Sequence, residues 1–184
     1  MRILLPVVMR SLLPLCTLLL LGLASGCSHY QFGTEGKLTF QTLYIAPVEN
    51  KAKLPQAVAI ITNQLREAFI HDGRVTVVDS PADADATLNV TLATYSRGVT
   101  TSRPDDTGMG RKFNLDLLAS CTLIDNRSNA ALFEGRLIAA QQQIFTTATP
   151  SDADSVQQQA EYQALPLLAT GLAQKVAHTT LDVW

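Results

Sequence analysis

Cross-linking chemistry is the first thing this chain has little of. Its 184 residues include three cysteines. Cys16 lies in the N-terminal apolar run and Cys27 at the end of it, so a disulfide framework within the remaining chain is excluded. Cys121, between Ser120 and Thr122, reads as a small buried hydrophobe. Metal-ligand spacing is missing as well, because His29, His71 and His178 are isolated from one another. No Gly-x-Ser-x-Gly elbow, Walker-type loop or dinucleotide fingerprint occurs. Asp79, Asp83 and Asp85 surround Pro81 after a strand-like run, which is the composition of a turn and not of a calcium loop. Basic charge is scarce: 14 Lys and Arg stand against 16 Asp and Glu, which argues against a nucleic-acid partner or any other polyanion-coating role. After residue 26 no apolar run approaches the length of a membrane-spanning helix. These absences predict a protein that is not an enzyme and takes no cofactor.

What is present begins at the N-terminus. Arg2 and Arg10 precede an apolar run over residues 12–23, followed by Leu23-Ala24-Ser25-Gly26-Cys27. The run is too short and too early for an ordinary transmembrane span. It resembles a bacterial lipoprotein signal with its lipobox; an ordinary secretory signal or an uncleaved anchor are the alternatives. The resemblance implies cleavage before Cys27 and acyl chains on that residue. Each buried methylene contributes about 0.8 kcal/mol, so several chains anchor a protein permanently. Ser28, where some lipoproteins carry Asp, favours the outer membrane by analogy with enterobacterial lipoproteins. Residues 1–26 are then a removed signal, residues 27–38 a lipidated start and flexible tether, and residues 39–184 one domain. With Arg2 and Arg10 gone, the 14 basic residues become 12 against 16 acidic ones, a net charge of −4.

The domain reads as strand, helix, strands, helix. Residues 39–46 are β-rich and stop before Pro47. Residues 54–71 form a helix with Pro55 in its first turn, Gly73 as its stop, and Leu54, Val58, Ile61, Leu65 and Phe69 on one face, leaving Ile60 and Ile70 off that stripe. Residues 74–79 are a short strand, and residues 80–83 turn the chain. Residues 86–97 alternate, with Leu88, Val90 and Leu92 opposite Asn89, Thr91 and Ala93. Residues 98–110 are read as a loop. Residues 111–125 are the clearest strand, with Phe113, Leu115, Leu117, Ala119, Cys121 and Leu123 on one face. A hairpin connection at 125–129 leads to a returning strand over 130–145, with Gly135 a candidate bulge. In the last helix Leu165, Leu168, Leu172 and Val176 make a stripe; Ser151 and Asp154 have capping-box spacing, and Pro166 predicts a kink or a break. The pattern predicts an α+β fold: a two-layer α/β sandwich with two helices on one face of a four- to five-stranded, mostly antiparallel sheet. The first strand–helix–strand unit also suits a parallel crossover. The other sheet face, rich in Thr and Asn, is expected to meet water or a polar partner.

One charge cluster stands out. Arg97 ends one long strand, Arg111 and Lys112 begin the next, and Arg103 lies between them. A hairpin gathers the four at one end of the sheet, where Arg and Lys grip phosphates. Asp105 and Asp106 partly cancel them, so a solvated loop is the alternative reading.

Several segments together resemble the LptE family of LPS-assembly outer-membrane lipoproteins. They are Thr42-Leu43-Tyr44-Ile45-Ala46-Pro47-Val48-Glu49-Asn50, Leu65-Arg66-Glu67-Ala68-Phe69 and Asp72-Gly73-Arg74 leading into Val77-Val78-Asp79. Ala82-Asp83-Ala84-Asp85-Ala86-Thr87-Leu88, Leu132-Phe133-Glu134-Gly135 and Ala164-Leu165-Pro166-Leu167-Leu168-Ala169 follow in order. The resemblance implies a two-layer domain that plugs an LptD-type β-barrel and helps insert lipopolysaccharide into the outer leaflet. It also implies basic LPS-phosphate contacts, for which Arg97, Arg103, Arg111 and Lys112 are the nearest equivalents. The first half also resembles lipoproteins that activate periplasmic cell-wall synthases and lipoprotein components of secretion pores. A tether of about a dozen residues is short for the first of these, and the charged hairpin suits membrane insertion by the second poorly.

Overall fold

The computed structural model describes residues 38–101, 111–146 and 153–182, all within the compact unit Gly36–Trp184. Strand β1 (Thr42–Ile45) stops before Pro47, and a two-residue strand β2 (Glu49–Asn50) follows it. Helix α1 (Pro55–Asp72) starts with proline in its first turn, where a missing N–H costs nothing. It ends at Gly73, whose φ of 76° is the left-handed conformation that a C-terminal cap requires. Strand β3 (Thr76–Val78) leads to a 3₁₀ turn over Pro81–Asp83, capped by the Ser80 hydroxyl, which accepts from the Ala82 N–H. Three long strands, β4 (Ala86–Thr101), β5 (Arg111–Asp125) and β6 (Ala130–Thr146), then make an antiparallel meander, and helix α2 (Ala153–Leu181) closes the chain.

The sheet has six strands in the order β3-β1-β4-β5-β6, with β2 also on β4. This exceeds the four to five expected by the two-residue β2, too short for any periodicity to reveal. β1 is parallel to both β3 and β4, so the β1–α1–β3 unit is the parallel crossover that the sequence left open. The architecture is the expected α+β arrangement of two helices and a mostly antiparallel sheet.

One core lies between sheet and helices. β4 sends in Leu88, Val90 and Leu92; β5 sends in every second residue from Phe113 to Leu123. α2 contributes Leu165, Leu168, Leu172 and Val176. On α1 the buried positions are Ala57, Ile61, Leu65 and Phe69, and Val58 is only partly buried against the core. Ile60 also packs on the core, whereas Ile70 is exposed.

Two further expectations change. α2 runs through Pro166 without a break, because burial of Leu165, Leu168 and Ala169 on either side outweighs one lost helical N–H. Ser151 lies outside the described residues, and so does most of the 98–110 loop; its first residues, through Thr101, belong to β4. The bulge expected at Gly135 is present. Its φ is 60°, its N–H donates to Thr122 Oγ1 at 3.1 Å, and the β5–β6 register skips between Cys121 and Leu123.

Candidate functional site

A second irregularity decides where the basic residues go. Leu92 pairs with Ala119 but Thr94 pairs with Leu118, so Ala93 is an extra residue in β4. One inserted residue moves every later side chain to the opposite face. Tyr95 and Arg97 therefore turn toward the helices, while Thr94 and Ser96 join the open face.

Arg97 meets α2 there. Its Nη1 lies 2.6 Å from Glu161 Oε1. Tyr95 donates its hydroxyl to Glu161 Oε2 at 3.3 Å, and Gln157 donates to Oε1 at 3.0 Å. Burial, reinforced by the Glu161 charge, pushes the Tyr95 hydroxyl up to about 12, so it remains a donor at any physiological pH. Lys112 is on the other face. Its register partners are Thr101 and Phe145, and its ammonium sits 5.3 Å from the centre of the exposed Phe145 ring. Arg111 begins β5 opposite Thr146. Arg103 and Cys27 lie outside the described residues. The backbone thus brings Arg97, Arg111 and Lys112 to one end of the meander, but the sheet separates Arg97 from Lys112. Glu161, Tyr95 and Gln157 were not foreseen as neighbours of Arg97. Tyr95, an aromatic on the polar phase of its strand, was the available signal for the shift.

The open face of the meander is a ladder of small polar groups. Asn89, Thr91, Thr94 and Ser96 of β4 lie beside Asn114, Asp116, Leu118 and Ser120 of β5, followed by Leu137, Ala139, Gln141 and Gln143 of β6. Gln141 donates to Asp116 Oδ1 at 2.7 Å and Gln143 to Asn114 Oδ1 at 3.2 Å, so neighbours satisfy one another laterally. Leu137 and Phe145 are exposed among them. Both helices pack on the opposite face.

At the far end of the sheet the ionised groups serve the fold. Asp85 accepts from the Gln41 and Thr42 N–H groups at 2.9 and 3.1 Å and is paired with Arg127. Those backbone donors, aided by Arg127, hold its carboxyl down at about 2. Asp79 pairs instead with Arg66 at 2.5 Å, so the three aspartates do not converge. Arg74, of the Asp72-Gly73-Arg74 segment, reaches Asp72 at 2.7 Å, Asp182 at 2.5 Å and the Leu181 carbonyl at 3.3 Å. It latches the end of α1 to the end of α2, beside a cleft of about 560 Å³ lined by His71 and His178. The Arg74 guanidinium in turn holds the Asp72 carboxyl below the usual carboxylate range. Asp182 also pairs with His178. Cys121 is fully enclosed, and burial pushes its thiol up to about 12, leaving no reactive thiolate.

The family model described as LptE, lipopolysaccharide-assembly, matches residues 40–179. No curated protein matches the chain. Among solved structures, a hypothetical protein from Chlamydia trachomatis is similar with a TM-score of 0.50 and 9% identity, covering 77% of this chain and 95% of that one. An uncharacterised lipoprotein B from Nitrosomonas europaea has a TM-score of 0.49 and 18% identity over 82% and 92% of the two chains. The rare lipoprotein B of Shewanella oneidensis has a TM-score of 0.48 and 12% identity over 78% and 98%.

Proposed function

The chain belongs to the LptE family of lipopolysaccharide-assembly proteins, and from that premise we propose that it is an outer-membrane lipoprotein whose domain plugs and supports an LptD-type β-barrel. In this reading Cys27 carries the lipid that holds the domain at the periplasmic side of the membrane. The domain assists delivery of lipopolysaccharide to the outer leaflet without a catalytic step. Among the described residues no helix is long and apolar enough to cross a membrane, which is compatible with attachment by acyl chains.

The observation that carries the reading is the open face of β4, β5 and β6. A large barrel has a polar, water-lined lumen. A face made mostly of Thr, Asn, Ser and Gln, with Asp116 and Lys112 among them and Leu118, Leu137, Ala139 and Phe145 interrupting it, suits such a wall. It does not demand a greasy partner, and its one carboxylate among these positions, Asp116, is hydrogen-bonded by Gln141. The synthase-activator and secretion-pore readings gain nothing from this face. At its end, Arg111 and Lys112 are the residues we assign to lipid A phosphates, with Arg103 on the connecting segment. Arg97, the fourth basic residue of the cluster, is held on the helix face in an ion pair with Glu161.

Purification of the full lipidated chain from detergent-solubilised membranes tests this. A large β-barrel is expected as the stoichiometric companion. A cell-wall synthase, or the protein alone as a ring of its own copies, contradicts it. Cys27→Ala is expected to release the domain from the membrane; retention on the membrane by that variant contradicts the anchor.

A further inference from the structure

Between the first turn of α1, the far part of β4 and the early turns of α2 lies a cleft of about 440 Å³, within the size range of small-molecule sites. Its floor is apolar: Leu54 and Leu165 are buried beneath it. Two aromatic rings border it, half-buried Tyr95 and Tyr162, which is 62% exposed.

The rest of the lining is polar and almost free of net charge. Glu161 is matched by Arg97 at 2.6 Å, so neither an anion nor a cation finds an unanswered charge there. Gln158 and Gln159 are exposed, and among the described residues their side-chain amides bond to nothing. Each offers two donors and an acceptor in one plane.

An apolar floor, aromatic walls and neutral amides that both donate and accept match one ligand class. A pyranose ring has C–H faces that pack on aromatic surface. Its rim is hydroxyls, each of which donates and accepts. A phosphate has no apolar face, and an acyl chain leaves the carboxamides unmatched. We propose that this cleft is a saccharide-binding subsite, holding one neutral sugar of a glycan beside Tyr162, Gln158 and Gln159. Arg97 is ion-paired with the lining residue Glu161, so the cleft lies near the basic end of the meander. Assigning the sugar to a glycolipid rests on the function proposed above; the sugar chemistry does not.

The test is amide NMR of the full lipidated chain in detergent micelles. One probe is lipid-free, dephosphorylated oligosaccharide cleaved from lipopolysaccharide, and the other is maltotriose. The expected result is saturable shifts at Tyr95, Gln158, Gln159 and Tyr162, with affinity at least tenfold weaker in Gln158→Ala/Tyr162→Ala. Both side chains are exposed, so the variant's unchanged spectrum elsewhere certifies its fold. Shifts from the lipopolysaccharide oligosaccharide alone assign the sugar to the glycolipid; equal shifts from maltotriose support a general glycan subsite. No shift from either probe at millimolar concentration overturns the proposal, as do shifts that the double variant retains. Barrel co-purification is scored on the same preparations. Its loss with sugar binding intact contradicts only the plug, and its persistence without sugar binding contradicts only the subsite.

Discussion

The two faces of the β4–β5–β6 meander are built from the same strands and held by different physics. On the helix face, Leu88, Leu92, Leu115, Leu117 and Leu123 are fully or almost fully enclosed, and stabilisation comes from apolar area removed from water. On the open face, Thr, Asn, Asp and Gln satisfy their neighbours across strands, and little apolar surface is hidden. The contrast teaches that one face specifies the fold and leaves the other free to be specified by a partner.

Adjacent residues of β5 break that comparison most sharply. Leu117 is 1% exposed, and Leu117→Ala is expected to cost about 2–5 kcal/mol in urea denaturation. Leu118, next along the strand and on the open face, is expected to cost about 1 kcal/mol when changed to Ala. Equal losses would contradict the division between the faces.

The next largest effect belongs to the polar seam at Asp85, which ties the start of β1 to the β5–β6 hairpin through Arg127. Asp85→Asn is expected to cost about 1.5–3 kcal/mol, the range for hydrogen bonds to a charged acceptor. Its folded carboxyl titrates at about 2 against an ordinary value of 3.8. A depressed folded value means that the stabilisation is complete above the unfolded value and is lost as pH falls from 3.8 toward about 2. Thermal melts across that window are expected to fall more steeply for the native chain than for Asp85→Asn. Parallel curves would remove Asp85 as the cause.

Smaller still is the latch between the C-terminal ends of the two helices. Arg74→Ala releases Asp72, Asp182 and the Leu181 carbonyl. These partly exposed pairs together account for about 1 kcal/mol. Hydrogen exchange at the last turn of α2 is expected to rise while the sheet stays protected, and unchanged exchange there contradicts the latch.

The basic end should show no stability effect but a binding effect. Arg111→Glu/Lys112→Glu is expected to weaken lipopolysaccharide binding about tenfold or more, the size of one or two lost charge-assisted contacts. Reversal at Arg97 is a poorer probe, because it sets two carboxylates against each other at Glu161. Unchanged affinity in the folded Arg111/Lys112 variant removes these residues from the site.

How far the sequence reached follows the same division. β5 was legible to the residue, since a central strand with one buried face alternates strictly from Phe113 to Leu123. The helices were legible by their stripes and by Gly73. The extra residue at Ala93 was not, because a bulge changes phase and not composition; only Tyr95 hinted at it. Of the kink or break expected at Pro166, the break is not made, because tertiary burial outweighs a local preference. Arg97 was found by its place at a strand end, yet its partner Glu161 is 64 residues away, a pairing that periodicity does not encode.

The central claim is that the open face lies against a barrel wall. Photo-crosslinking residues at Ser96, Leu118 and Gln141, introduced one at a time into the lipidated chain in intact cells, test it most directly. The account predicts adducts with one large outer-membrane β-barrel from all three positions. Properly folded, membrane-anchored variants that give no barrel adduct from any of them would contradict it.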